Sequence, residues 1–330
     1  MDKEKQLPSG KLSPEALKRN VLSYTGMKKE EILIGPAVGE DASVIKWNAN
    51  KYMVFSSDPI VGADKGAGKL LVRINSNDIA SKGGEPLYLA VTLILPPVIG
   101  EAGASKIMRE IHEECIDEGI AIVGGHTEFN DKYDKPVIMG ALIGEADKIL
   151  KATDIETDDY IIVTKHIGIE GMSILAADRE DLLSQFMNKQ EIEEILSWSD
   201  ETSVLEESRV IRQYAKFMHD PTEGGFLGGM GEIIALSGLE AEIENEKIPL
   251  HPLTKKAAEK LSFDPLHLIA SGSLIAIIAK EEIDKAEKAL QKSKIKYAKI
   301  GQMGNKLKSK IEEPKEELWR LLKMDKKDEK

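Results

Sequence analysis

The chain has 330 residues, 42% of them apolar and 31% charged; 57 acidic against 45 basic side chains leave a formal net charge of −12, and there is one cysteine. That length exceeds one comfortable core, so two domains are expected, while the acidic balance argues against a nucleic-acid partner held by the overall field. One cysteine excludes an intrachain disulfide or a cysteine zinc cluster; with no apolar run of about 18 residues and no signal-peptide core, the expectation is a soluble cytoplasmic protein without a membrane partner.

In chain order, residues 1–11 form a charged arm that ends on Gly10 and Lys11, and Ser13-Pro14-Glu15 carries the N-cap and first-turn signature of a helix. A turn-rich stretch over 35–42 leads into a strand over 43–47. A second strand over 52–56 ends at Ser57-Asp58-Pro59, so two strands deliver Asp41 and Asp58 near their ends. Aspartates at turns can equally serve local hydrogen bonding. Gly62, Gly66 and Gly68 precede a helix that starts at Lys69 and stops at Gly83-Gly84, a pair suited to a left-handed cap. Along it Leu71, Ile74, Asp78 and Lys82 share one face, apolar at first and polar from Asp78. A carboxylate on an inward stripe is costly unless a metal ion or a positive side chain neutralises it; a solvated polar edge is the alternative. No Gly-Lys-Ser/Thr follows a strand, so there is no Walker loop.

Residues 87–95 are an almost continuous apolar run, read as a strand buried on both faces. A helix over 101–118 places Ala104, Met108, Ile111 and Cys115 on one stripe, which makes Cys115 a core residue and leaves His112 exposed. A short strand over 120–123 is followed by a turn, Gly124-Gly125-His126-Thr127-Glu128, whose glycines let the backbone approach a ligand and whose His126 and Glu128 suit metal or phosphate. A strand over 137–144 closes the first half, giving domains 1–147 and 148–330. The second half opens with a buried strand over 160–164, a helix over 168–177 and an acidic helical region over 180–207 whose charges form a solvated face. Then comes His219-Asp220-Pro221-Thr222-Glu223-Gly224-Gly225, where Thr222 can cap the helix over 226–236 and the glycines allow a phosphate near its N-terminus. A loop over 261–273, a strand over 274–279, a helix over 281–291, a strand over 294–300 and a helix over 314–322 complete the chain. Strands alternating with helices in both halves make the fold class α/β (α+β).

Five segments together resemble the aminoimidazole-ribonucleotide-synthetase superfamily of ATP-using enzymes: Gly39-Glu40-Asp41-Ala42, Ser57-Asp58-Pro59, Asn77-Asp78-Ile79-Ala80, Gly124-Gly125-His126-Thr127 and Asp220-Pro221-Thr222-Glu223-Gly224-Gly225. The last of these, with Asp264-Pro265-Leu266, is most similar to the hydrogenase-maturation carbamoyl dehydratase branch; Gly-Gly-His-Thr is also similar to selenophosphate synthetase. The resemblance implies an N-terminal domain that forms a homodimer with a second copy, a C-terminal domain packed against it, and a cleft for ATP and Mg²⁺ near the dimer interface. It implies Asp41, Asp58 and Asp78 as metal ligands, since Mg²⁺ takes carboxylate and phosphate oxygens. It further implies Lys11, Asn77, Gly124, Gly125, His126, Thr127, Thr222, Gly224 and Gly225 around the phosphates, Asn77 on a phosphate or a metal-bound water, with Lys11 and Asp220 as the catalytic residues and Asp220 facing the substrate or a second metal. Catalysis would then be positioning and neutralisation of phosphate charge while a substrate oxygen attacks the terminal phosphorus.

The chain departs from that pattern in three places. Glu40 stands where related sequences often carry Asp, and His126 where the dehydratase and kinase branches usually do, with Glu128 as the available replacement. Neither the tail Met324–Lys330 nor the N-terminal arm holds a cysteine that could carry a substrate group. The expectation is an ATP-dependent enzyme that activates an oxygen of a small or protein-borne substrate not attached to its own cysteine. The alternatives are a small-molecule kinase of the same fold, similar to thiamine-monophosphate kinase, and a nucleotide-binding regulatory or assembly protein with little turnover.

Overall fold

The computed structural model describes residues 14, 15, 18, 30–47, 50–61, 66–306 and 315–324. Lys11 and the Ser13 cap lie outside the described residues.

The first half contains β1 (Ile32–Ile34), β2 (Ser43–Lys46), β3 (Tyr52–Ser56), β4 (Pro59–Val61), α1 (Ala67–Ser81), β5 (Glu85–Leu95), α2 (Gly100–Glu118), β6 (Ala121–Phe129) and β7 (Val137–Ala146). The strands form one sheet in the order β1-β2-β3-β7-β5-β6, with β4 also on β7; only β5 and β6 run parallel. Helices α1 and α2 cover one face of the sheet, where Leu71, Val72 and Ile79 of α1 and Ile111 and Cys115 of α2 meet Leu89, Val91, Leu93 and Leu95 of β5. Gly83, at φ +74°, caps α1 in the left-handed conformation that its sequence anticipates.

Two expectations are corrected here. Strand β5 is not buried on both faces: Leu89, Val91, Leu93 and Leu95 point inward, while Tyr88 is 48% exposed and Ala90, Thr92 and Ile94 are half-buried on the uncovered face. An apolar run in which both residue parities are hydrophobic does not reveal that one parity lacks a covering layer. The residues 124–128 are not a turn but the middle of β6, paired residue by residue with β5. Gly125, at φ +145°, is required there because it passes so close to Val91 that a Cβ would lie 1.8 Å from its carbonyl oxygen, whereas a Cβ on Gly124 would meet open space.

The second half contains β8 (Tyr160–Thr164), α3 (Ile169–Asp178), α4 (Glu180–Leu183), α5 (Lys189–Ser197), α6 (Leu205–Ile211), β9 (Ala215–His219), α7 (Gly225–Ser237), β10 (Leu239–Ile243), α8 (Pro252–Leu261), β11 (Ile275–Ile278), α9 (Ile283–Lys292), β12 (Tyr297–Lys306) and α10 (Leu318–Leu322). Its sheet runs β10-β12-β8-β11-β9, antiparallel throughout. Helices α6 and α9 cover one face, packing on Ile162, Met218 and Ala276; α7 covers the other, packing on Ile161, Phe217 and Ile277. Strands β9 and β10 and helix α8 escape the sequence reading. The segment LEAEI of β10 is short and acidic, and α8 is recognisable mainly by His251, whose Nδ1 accepts the Leu253 N–H at 3.2 Å as its N-cap.

The two halves meet along α1. Asn77 Nδ2 donates to the Thr202 carbonyl at 2.8 Å while its Oδ1 accepts the Val204 N–H at 2.9 Å, and Ser208 Oγ donates to the Ala80 carbonyl at 2.8 Å. Among the described residues no helix is long and apolar enough to cross a membrane.

Candidate functional site

Helix α1 is enclosed between the first sheet and the second half, so its polar residues from Arg73 to Ser81 are buried. Asp78 is the critical one, at 6% exposure. Ser56 Oγ, at the end of β3, donates a hydrogen bond to it. Burial, and then the charges of Asp58 and Asp41, push its carboxyl well above the usual carboxylate range; Asp58 also hydrogen-bonds it. Two carboxylates in hydrogen-bond contact need a proton or a cation between them. Asp58 is delivered by Asn75, one turn before Asp78 on α1: Asn75 Oδ1 accepts the Asp58 N–H at 3.0 Å, and its Nδ2 donates to the Asp58 carbonyl at 3.3 Å. Gly140 makes room for that amide, since a Cβ there would lie 2.8 Å from Asn75 Nδ2.

The third carboxylate, Asp41, arrives on a loop clamped by buried cations of both halves. Gly39, at φ +83°, lets the loop press on α7, where a Cβ would lie 2.8 Å from the Cβ of Glu232. Lys82, fully buried at the end of α1, donates to Glu40, and its ammonium sits 4.5 Å from the ring centroid of Phe217 on β9. His219 bonds Asp41 Oδ2 through Nδ1 at 2.8 Å and Glu232 Oε2 through Nε2 at 2.9 Å. Burial alone would lower the His219 pKa, but Asp41 and then Glu232 raise it to about 10, so the ring is a buried imidazolium. The positive side chain expected on the Asp78 stripe therefore exists, but it serves Glu40. Lys82 and Glu40 were visible in the sequence as a stripe residue and a departure; His219 and Glu232 carried no signal beyond their place beside Asp220 and on the apolar helix that follows it.

The other expected site residues are placed as follows. Asp220 follows β9 at 2% exposure, near Asn77 and Asp41. Burial and then the Asp41 charge push its carboxyl well up; the Asn77 amide and the His219 imidazolium oppose this, though neither Asp220 oxygen makes a hydrogen bond of good geometry. Asn77 bonds the segment 202–204 through both polar atoms, which ties the two halves together, and its amide also faces Asp220. Thr222 does not cap α7: the N-cap is Gly224, in the left-handed conformation, with no side-chain cap bond. The anion at that N-terminus is internal, because the Gly224 N–H donates to Glu316 at 2.7 Å. In the single chain that carboxylate satisfies the Gly224 donor, and the Gly225 N–H donates to the Thr222 carbonyl at 3.0 Å. Gly124, Gly125, His126 and Thr127 lie on β6, an edge strand; His126 is 64% exposed and hydrogen-bonds Glu128 at 3.2 Å. Through the pairs Pro59–Met139, Met139–Thr92 and Thr92–His126 the ladder puts His126 three strand spacings from β4, roughly 14 Å. Within one chain His126 and the aspartates are not together.

Among the described residues no three His, Cys, Asp or Glu side chains stand at metal-ligating geometry. The donor set fits Mg²⁺ in a narrower sense: this ion is commonly held by one or two carboxylates with phosphate and water oxygens completing the shell, and Asp58 with Asp78 is such a pair in hydrogen-bond contact.

Comparison with known proteins gives a consistent picture. Residues 39–146 match the family described as AIR synthase related protein, N-terminal domain, and residues 156–312 its C-terminal domain. A protein of Methanocaldococcus jannaschii named for hydrogenase expression/formation is 28% identical over 289 residues, 86% of this chain and 84% of the relative. Carbamoyl dehydratase HypE of Rhizobium leguminosarum bv. viciae is 29% identical over 246 residues, 70% of this chain and 67% of the relative. Among solved structures, AaThiL complexed with AMPPCP and TMP superposes with a TM-score of 0.70 at 19% identity, over 85% of this chain and 91% of that one. HypE in complex with ATP superposes with a TM-score of 0.62 at 20% identity, over 89% of this chain and 84% of that one.

Proposed function

Because the chain belongs to the AIR synthase related proteins, matching their N- and C-terminal domains in turn, we propose that it is an ATP-using enzyme that activates an oxygen of its substrate by phosphoryl transfer in a Mg²⁺-dependent reaction. The observation that carries this reading is the buried Asp78 carboxylate, whose neighbours are two further carboxylates and a hydroxyl. Such a group is destabilising in an isolated protein and useful only to something positively charged. Asp58 and Asp78 would hold Mg²⁺, which would supply neutralisation of the phosphate charge. Ser56 and Asn75 orient those two ligands, and the His219–Glu232 and Lys82 contacts hold the Asp41 loop against them. Asp220, buried beside Asn77, would face the substrate or a second metal.

In this reading the active unit is a homodimer, which would bring His126 and Glu128 of one copy toward the site of the other. The uncovered sheet face supports it: Phe55, Ile143 and Tyr88 form one row across β3, β7 and β5, and Met139 stands in another. An apolar sheet face of this size calls for a cover.

Calorimetry of Mg-ATP with Asp58→Asn and Asp78→Asn tests the assignment. Each variant is expected to weaken binding by about tenfold or more, with thermal stability unchanged or raised because repulsion between the carboxylates is relieved. Unaltered Mg-ATP affinity in both would remove these residues from the site. Product analysis separates dehydration from a kinase reaction, in which the phosphoryl group stays on the product.

A further inference from the structure

Glu316 is remote in sequence from every motif of the site, yet its carboxylate ties three segments together. Oε2 accepts the Gly224 N–H at 2.7 Å; Oε1 accepts the Leu318 N–H at 2.7 Å and the Ile269 N–H at 3.3 Å. A carboxylate has the lone pairs to take all three, and the N-terminus of α7 favours a negative charge there. The surrounding backbone is packed too closely for another side chain: a Cβ on Gly225 would lie 2.6 Å from the carbonyl oxygens of both Leu266 and Leu268. The Glu317 N–H donates to the His267 carbonyl at 3.2 Å, and the Ile269 carbonyl accepts the Gly171 N–H of α3 at 3.2 Å.

The far end of this segment is anchored independently. Leu318 and Leu321 are buried in the core with Met172 and Leu175, and the Arg179 guanidinium donates to the carbonyls of Leu321, Leu322 and Met324 at 2.8–2.9 Å. Glu316 is thus held over the loops by a fixed helix.

We propose that Glu316 is a positioning residue, a built-in anion that locks the loop 220–225 to the turn 264–270 and so fixes Asp220 against Asn77 of the first half. The carboxylate is what matters. A glutamine keeps only one acceptor and turns an N–H toward one of the three donors. Burial pushes the Glu316 carboxyl up, and the N–H groups of Leu318, Gly224 and Ile269 offset part of that rise.

The test uses the full chain and does not depend on the nucleotide reading. In Glu316→Ala the amides of 220–225 and 266–270 should exchange with solvent on the order of tenfold faster than in the wild type. The melting temperature should fall by roughly 5 °C. Formate at tens of millimolar, small enough to enter the emptied cradle, should restore both in the variant and leave the wild type unchanged. The side-chain carboxyl ¹³C resonance of Asp220 should shift in Glu316→Ala and return with formate, and an unshifted resonance would overturn the proposal. Exchange and melting indistinguishable from the wild type, or no effect of formate on Glu316→Ala, would overturn the proposal. Should the alanine variant fail to accumulate, Glu316→Gln serves in its place: faster exchange of the same amides that formate does not rescue supports the cradle, and wild-type exchange overturns it.

Discussion

Cys115 lies on the inward stripe of α2, and burial, followed by the charges of Glu118 and Glu114, pushes its thiol up to about 12. The thiolate is the reactive form, so this cysteine is chemically silent at neutral pH. Iodoacetamide should label the native chain on the order of 100-fold more slowly than the urea-unfolded chain, with labelling read by intact mass. Rapid native labelling would put a reactive thiol back among the candidates for carrying a substrate. Lys82 illustrates the opposite arrangement, a buried charge that is retained because it is paired. Removing one partner of such a pair typically costs about 3–5 kcal/mol, which explains why a lysine can end α1 with no solvent exposure.

At the scale of elements, α1, α2 and the second half meet around Glu118. Ser76 Oγ of α1 donates to Glu118 Oε2 at 2.5 Å, and Ser203 Oγ to its Oε1 at 3.4 Å. Burial, with the nearby Glu114 charge adding and Arg73 opposing, raises the Glu118 pKa to about 7. A carboxyl whose folded pKa is raised binds more protons folded than unfolded between its ordinary value and the raised one. This contact therefore loses stability as pH climbs from about 4.5 to about 7, by up to about 3 kcal/mol in total. In urea titrations Glu118→Gln should match the wild type near pH 5 and exceed it at pH 8. A variant less stable than the wild type at pH 8 would show that the charged form is the one the interface favours. The same junction accounts for Asn77, which spends both polar atoms on the backbone of the second half and so makes the position of α1 depend on both domains.

At the scale of the whole molecule, the first sheet has one face that lacks a covering layer among the described residues. Covering it with the same face of a second copy would bury Tyr88, Phe55 and Met139, all exposed in the single chain, and a two-fold arrangement is the commonest way to do so. Light scattering at micromolar concentration should give a dimer for the wild type and a monomer for Tyr88→Asp, with far-UV circular dichroism unchanged because Tyr88 is not part of the core. A monomeric wild type would leave His126 and Glu128 without a site to complete.

The residues themselves determined the two α/β halves, the strands near 43–47, 52–56 and 160–164, the left-handed cap after α1 and the core position of Cys115, because those features depend on hydrophobic period, glycine at positive φ and short-range turn chemistry. The aspartates were nameable for the same reason: they sit at strand ends and on an inward helical stripe. Only the tertiary structure decided which charge neutralises which. Lys82 is one helical turn from Asp78 but pairs with Glu40; His219 is adjacent to Asp220 but bridges Asp41 and Glu232; and the anion at the N-terminus of α7 is supplied by Glu316. Sequence spacing ranks neighbours along one element, whereas electrostatic pairing in a dry interior is settled by contacts of about 3 Å between elements far apart in the chain. The open face of β5 belongs to the same class, since hydrophobicity records a tendency to be covered and the covering layer can lie in another molecule.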